Sequence, residues 1–158
     1  DFIYEDTIAE NIRIGRPDIT DDDLRTAAEH AQALEFIDAF PDGFDHLLTT
    51  KGTNLSGGQR QRILIARALA AAPEILVLDD ASSALGYKTD ANLRASLSSQ
   101  CHGVTTVVVA QRVSSVKDCS LILVLHDGHI IGQGTHEELL AKKGYYYHLF
   151  TAQMQDVS

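Results

Sequence analysis

The chain changes character at Pro73, and that change restricts its fold more than any other feature. Beyond it, Ile75-Leu76-Val77-Leu78 is a continuous apolar run, as are Val107-Val108-Val109 and Leu121-Ile122-Leu123-Val124-Leu125, with a helical stretch around Asp90 to Leu97 between the first two. Short apolar runs alternating with helices predict buried strands of a parallel sheet covered on both faces, which is an α/β fold. His126-Asp127-Gly128 predicts a hairpin turn into Ile130-Ile131. Thr135-His136-Glu137-Glu138 opens a terminal helix that Gly144 interrupts.

Before Pro73 the periodicity is helical. Thr20-Asp21-Asp22-Asp23 supplies a cap and first-turn acids, and Leu24, Ala27, Ala28, Ala31, Leu34 and Ile37 recur at helical spacing as far as the turn Pro41-Asp42-Gly43. A second helix is predicted from Ser56-Gly57-Gly58-Gln59, a cap with Gln three residues on, through Ile63, Ala66 and Ala70 to a stop near Pro73. Residues 1–72 are therefore expected to be mostly helical and residues 73–158 α/β.

With 158 residues and 44% hydrophobic content the chain can bury a core. The net charge of −9 lies in the first third: residues 1–50 hold 13 acidic and 3 basic side chains, residues 51–158 hold 9 and 10. The basic residues do not cluster, so no nucleic-acid surface is expected. The richest apolar stretch, Ile63 to Leu78, is cut by Arg67, Pro73 and Glu74, and no run reaches the roughly 18 residues of a membrane span. Nothing at the start resembles a signal peptide, and the abrupt opening at Asp1 without methionine reads as a fragment. Cys101 and Cys119 are too few for a disulfide framework, which makes a reducing setting the default.

Two places carry chemistry. Asp79 and Asp80 follow four apolar residues and so lie at the C-terminal edge of a strand, where ligands bind in α/β folds. One carboxylate there suits Mg bound to phosphate, while the plain alternative is a pair of acids capping the next turn. At Ser56-Gly57-Gly58-Gln59 the glycines let backbone amides approach a phosphate at a helix N-terminus, or the motif is an ordinary capping box.

Taken together these residues resemble the ATP-binding cassette (ABC) ATPases. Leu55-Ser56-Gly57-Gly58-Gln59 matches their LSGGQ signature residue for residue. Ile75 to Asp80 looks like their Walker B strand, Ala81-Ser82-Ser83-Ala84-Leu85 resembles their D-loop, and Val109-Ala110-Gln111-Arg112 falls where the switch-histidine segment follows the next strand. Thr7-Ile8-Ala9-Glu10-Asn11-Ile12 and Pro41-Asp42-Gly43-Phe44-Asp45 look most like exporters with fused transmembrane and ATPase domains. The resemblance implies the α/β P-loop NTPase (RecA-like) fold, second half only. Residues 1–72 would be the helical subdomain with the signature helix, and residues 73–158 the C-terminal part of the core. It also implies ATP and Mg as cofactors and a place at the cytoplasmic face of the membrane. The implied partners are a second nucleotide-binding domain and the coupling helices of a transmembrane domain. Phe2 and Tyr4, with Thr50-Lys51-Gly52, look like the surfaces that meet those helices, although Thr50 stands where the fused exporters carry Glu.

Several family features are absent or altered. The phosphate-cradling GxxxxGKS/T is missing, because the only glycine pair so spaced, Gly52 and Gly57, is followed by Gly58 and Gln59. By the resemblance, Asp79 holds Mg and Leu55, Ser56, Gly57, Gly58 and Gln59 contact ATP on the partner. The second Walker B acid, usually a Glu acting as general base, is Asp80, about 1 Å short of the attacking water. The switch position is Gln111, which hydrogen-bonds but carries no charge. The D-loop, Ser83-Ala84-Leu85-Gly86, ends in Gly86 instead of Asp. These departures imply a chain whose own site is degenerate while its signature serves a partner's ATP in trans, in a homodimer or, more in keeping with the asymmetry, a heterodimer; the fragment alone is expected to be inactive. A soluble, non-transporting ABC ATPase and a scaffold that has lost nucleotide are the alternatives. On the signature helix, Arg60 is expected to hold phosphate or the helical subdomain, and Arg67 to form an ion pair.

Overall fold

A computed structural model describes residues 2–101 and 103–155. Its chain packs as two compact units, Asp1–Val109 and Ala110–Ser158.

The first unit is a helical cluster built around one parallel strand pair. Thr7 caps α1 (Ile8–Arg13), its side chain accepting from the Glu10 amide. Thr20 and Asp23 form a reciprocal capping box at the start of α2 (Asp21–His30), followed by α3 (Leu34–Asp38). The apolar spacing predicts one helix from Thr20 to Ile37; the structure breaks it. Gln32 takes a left-handed φ of 58°, and the amides of Gln32 and Ala33 turn back onto the carbonyls of Glu29 and Ala28 at 2.9 and 2.7 Å. This is the geometry glycine usually supplies at a helix end, so nothing in the sequence announced it.

The signature helix α4 (Gly57–Ala70) runs across α1 and α2, and β1 (Ile75–Asp79) and α5 (Tyr87–Gln100) follow it. Strand β1 pairs in parallel with β2 (Thr105–Val109), Ile75 opposite Thr105 and Asp79 opposite Val109. Ile8, Ile12, Ile37 and Ile63 are wholly buried, and one core joins them to Leu76, Leu78, Leu93 and Leu97. Helices and strand pair thus share a core across residues 72 and 73, where the sequence pattern changes.

The expectation of a sheet covered on both faces needs correction. Leu76 and Leu78 point into the core, but Ile75, Val77, Val107 and Val109 on the other face are between 46% and 64% exposed. A continuous apolar run signals a strand whose two faces both want cover, and the described residues cover one. The isolated 158-residue chain is therefore expected to self-associate at micromolar concentration, because a contiguous apolar face of this kind seeks a partner. Sedimentation velocity would show it, and a clean monomer would contradict it.

In the second unit, α6 (Val113–Val116) precedes the antiparallel hairpin β3 (Ile122–His126) and β4 (His129–Gly134), which turns at Asp127-Gly128 as predicted. Helices α7 (His136–Ala141) and α8 (Tyr145–Gln155) follow, the first capped by Thr135 and Glu138 and separated from the second by Gly144. Val113, Ile122, Val124, Leu139 and Tyr146 form the core of this unit. Among the described residues no helix is long and apolar enough to cross a membrane.

Candidate functional site

The turn that opens α4 is built from both sides. Leu55 is buried and its amide bonds the Gly52 carbonyl at 3.0 Å, which anchors the turn from below. Ser56 Oγ accepts the Gln59 amide at 3.2 Å, and Gln59 Oε1 accepts the Ser56 amide at 2.9 Å. The capping box is therefore present, and Ser56 has a structural task. That task uses the hydroxyl only as an acceptor, so its proton remains available to a ligand. The amides of Gly57 and Gly58 have no acceptor among the described residues, as expected for the first turn of a helix. Ser56 and Gly57 face solvent. An exposed turn with two free amides, a free hydroxyl proton and the positive end of a 14-residue helix suits an anion.

The two glycines sit in different surroundings. A Cβ at Gly58 would lie 3.1 Å from the Ala84 carbonyl oxygen, whereas one at Gly57 would meet only the Ala84 methyl at an ordinary 3.8 Å. The segment after β1 thus rests directly on the signature turn. It begins with Asp80 in a left-handed conformation, φ 48°, which Asp tolerates better than most side chains. The Asp80 amide bonds the Val109 carbonyl at 2.9 Å, and the amide and hydroxyl of Ser83 both donate to the Asp80 carbonyl, at 3.1 and 2.8 Å. Asp79 and Asp80 are both exposed at the strand end. The Asp79 carboxylate makes no hydrogen bond or ion pair among the described residues, which leaves it free to take Mg together with phosphate oxygens and water.

This ordering of an LSGGQ turn, a strand ending in two acids and a tight segment packed back onto the turn agrees with a direct match: the sequence model described as "ABC transporter" fits residues 2–83. The chain belongs to the ABC transporter family. It is 46% identical over 156 residues to the ABC transporter ATP-binding protein YknU of Bacillus subtilis (strain 168), covering 99% of this chain and 27% of that protein. To the beta-(1-->2)glucan export ATP-binding/permease protein NdvA of Rhodopseudomonas palustris (strain BisB5) it is 47% identical over 152 residues, 96% of this chain and 25% of the other. Its fold matches the structure of a bacterial Atm1-family ABC exporter with ATP bound at a TM-score of 0.93 and 35% identity, over 97% of this chain and 27% of that one. The chain spans about a quarter of the length of these relatives.

Of the expected D-loop residues Ser83, Ala84, Leu85 and Gly86, Ala84 and Leu85 lie against the signature turn within the first unit. Gly86 is the N-cap of α5 and makes no side-chain bond there. Gln111 belongs to the second unit, where its carbonyl accepts the Gln153 side-chain amide at 2.8 Å and its own side chain faces solvent. Phe2 and Tyr4 form an exposed edge-to-face pair, ring centroids 5.0 Å apart. The Thr50 hydroxyl bonds Glu5, and the Lys51 amide bonds the Ile3 carbonyl at 3.2 Å, so residues 2–5 and 50–52 form one surface.

Arg67 of α4 departs from the expectation, and Arg62 on the same helix also holds a distant carbonyl. Arg67 forms no ion pair among the described residues; its guanidinium donates to the carbonyls of Asn11 (2.7 Å) and Phe2 (2.8 Å) and to Asn11 Oδ1 (3.2 Å). Arg62, not singled out in the sequence, donates to the Gly58 carbonyl at 3.2 Å and to that of Gln32 at 2.6 Å, with the Phe36 ring 4.7 Å from its guanidinium. It ties the signature turn to the broken end of α2. Burial pushes both guanidinium groups below the usual arginine range without neutralising them at any ordinary pH. The only sequence signal for either was a cation on a helix that also carries buried apolar positions.

Proposed function

We propose that this chain is part of the nucleotide-binding domain of an ABC exporter, that its signature turn closes over ATP held by a second nucleotide-binding domain in a head-to-tail dimer, and that its own ATP site is degenerate. The single observation that carries the reading is the exposed signature turn with unengaged Gly57 and Gly58 amides. In this arrangement Ser56 donates its hydroxyl proton, and the two amides donate along the helix axis, to a γ-phosphoryl group fixed by the partner. Leu55 and Gln59 hold the turn in shape. On the chain's own side Asp79 holds Mg, Asp80 orients the attacking water from one methylene too far, Gln111 contacts the γ-phosphate without a charge, and Ser83 to Gly86 border the interface. Bound ATP with Mg supplies the phosphoryl group and the cation that offsets its charge.

The partners are then the second nucleotide-binding domain, different in sequence if the asymmetry is to be useful, and the coupling helices of a transmembrane domain resting on Phe2, Tyr4 and Thr50 to Gly52. The domain works at the cytoplasmic face of the membrane. The names of the relatives, an exporter structure with ATP bound and a glucan export protein, support transport outward.

The glycine pair tests this. Gly57→Ala has room within the chain and improves helix propensity by up to about 1 kcal/mol. It should leave the melting temperature of the assembled transporter unchanged or higher, yet lower ATP turnover about tenfold by holding the phosphate away from the amides. Full turnover in Gly57→Ala would refute close approach of a ligand to this turn.

A further inference from the structure

Asn11 is wholly buried on α1 and every polar atom of its side chain is used. Its Nδ2 donates to the carbonyls of Tyr4 (3.1 Å), Thr7 (2.9 Å) and Asp6 (3.4 Å), while Oδ1 accepts from the Tyr4 amide (2.9 Å) and from Arg67 (3.2 Å). Arg67, in the last turn of α4, completes the connection by donating to the carbonyls of Asn11 and Phe2 and lying 5.7 Å from the Tyr4 ring centroid. Residues 2–4 alternate as a strand does, Ile3 inward and the Phe2 and Tyr4 rings outward. The exposed rings are therefore carried on a backbone whose carbonyls and amide are bonded to Asn11 and Arg67.

A capping role alone explains little of this. Thr7 already caps α1, and a cation held only by carbonyls and an amide oxygen is a weak source of stability compared with apolar packing. What the arrangement does provide is direction, since planar guanidinium and amide groups fix the angle as well as the distance between the parts they join. A helix of 14 residues is stiff along its length, and its far end is the signature turn.

We propose that Asn11 is a positioning residue: through Arg67 it locks the Phe2–Tyr4 edge to α4, so that a displacement of that edge reaches Ser56, Gly57 and Gly58 as a rigid movement of the helix. The inference rests on the reading of that edge as the face toward the transmembrane domain and of the turn as a site for the partner's ATP.

The test is a double-mutant cycle on ATP turnover by the full-length transporter, assembled with its partner nucleotide-binding domain in lipid nanodiscs. Phe2→Asp alters the exposed edge and keeps the backbone carbonyl that Arg67 binds; in the otherwise native protein it should lower kcat about tenfold with KM for ATP within about twofold. In an Asn11→Ser background, where the edge is already released, the same change should lower kcat by no more than about twofold. A purely structural Asn11 would reduce the amount of folded transporter and leave the Phe2→Asp factor as it was, so equal factors in the two backgrounds overturn the proposal, as does a Phe2→Asp variant without effect. If Asn11→Ser does not assemble, Arg67→Lys serves as the second background, since it keeps the charge and cannot reach the Phe2 and Asn11 carbonyls together. Full turnover by Ser56→Asp in the same assembly would instead refute the trans role of the signature, a failure distinct from additivity in the cycle.

Discussion

Ser56→Asp is expected to lower ATP turnover of the assembled transporter by about a hundredfold or more while leaving α4 as stable as before. Asp is as good an N-cap as Ser, so the bond now made to the Gln59 amide survives the substitution. What changes is the outward side of the turn. A hydroxyl proton offered to a phosphate oxygen becomes a carboxylate facing it, and the repulsion falls where the free Gly57 and Gly58 amides would attract. The capping role and the phosphate role of one residue are thereby separated. Ser56→Arg is the complementary variant: it loses the cap, at a cost of about 1 kcal/mol, and fills the turn with a long side chain. Phosphate release measured beside a thermal melt decides the matter. Turnover retained in Ser56→Asp would mean that Ser56 only starts a helix.

The second effect is a gain. Asp80→Glu combined with Gln111→His should raise turnover toward twofold, because a general base of the right reach, which contributes about a hundredfold or more at its own site, would add a second working site beside the one that the signature completes. The structure accommodates both changes. Asp80 and Gln111 are exposed, and the loop at Gln111 is fixed through its carbonyl by Gln153, so a new side chain there leaves the backbone bond in place. One cost is visible in advance. Residue 80 has φ 48°, a region that Asp tolerates and Glu less so, and the double variant should lose up to about 1 kcal/mol of stability. Higher turnover with a slightly lower melting temperature is the expected pair of results; unchanged turnover would argue against degeneracy at this site.

Much of the fold could be read from local chemistry. The caps at Thr20, Ser56 and Thr135 are each two side chains answering two amides within four residues, and all three begin helices where the sequence places them. The Asp127-Gly128 hairpin and the break at Gly144 follow in the same way from what those residues do to their own backbone. The features that escaped depend on distant residues. Gln32 ends α2 without glycine, and its carbonyl is met by Arg62 from thirty positions away. Arg67 suggested an ion pair because a helical arginine usually finds a carboxylate nearby, whereas its partners are carbonyls at Asn11 and Phe2 brought close only by folding. The bare face of β1 and β2 was missed for a related reason: apolar runs show what a strand prefers to touch, and the described residues meet that preference on one side only. For the proposed site, spacing singled out the signature, Asp79 and Asp80 as candidates. It could not show that the turn would be open to solvent or that Ala84 would press on it.

That pressure bears on how the two halves of the proposed dimer would keep time. A methyl on Gly58 would crowd the Ala84 carbonyl oxygen at 3.1 Å, so in the proposed dimer the loop leaving the acids of one site and the turn greeting the other nucleotide would move together. On that reading, a shift caused by ATP at either site would be passed to the neighbouring turn, which has little slack to absorb it. Communication between the two sites of the proposed dimer would then need no long relay, only this abutment between adjoining backbones.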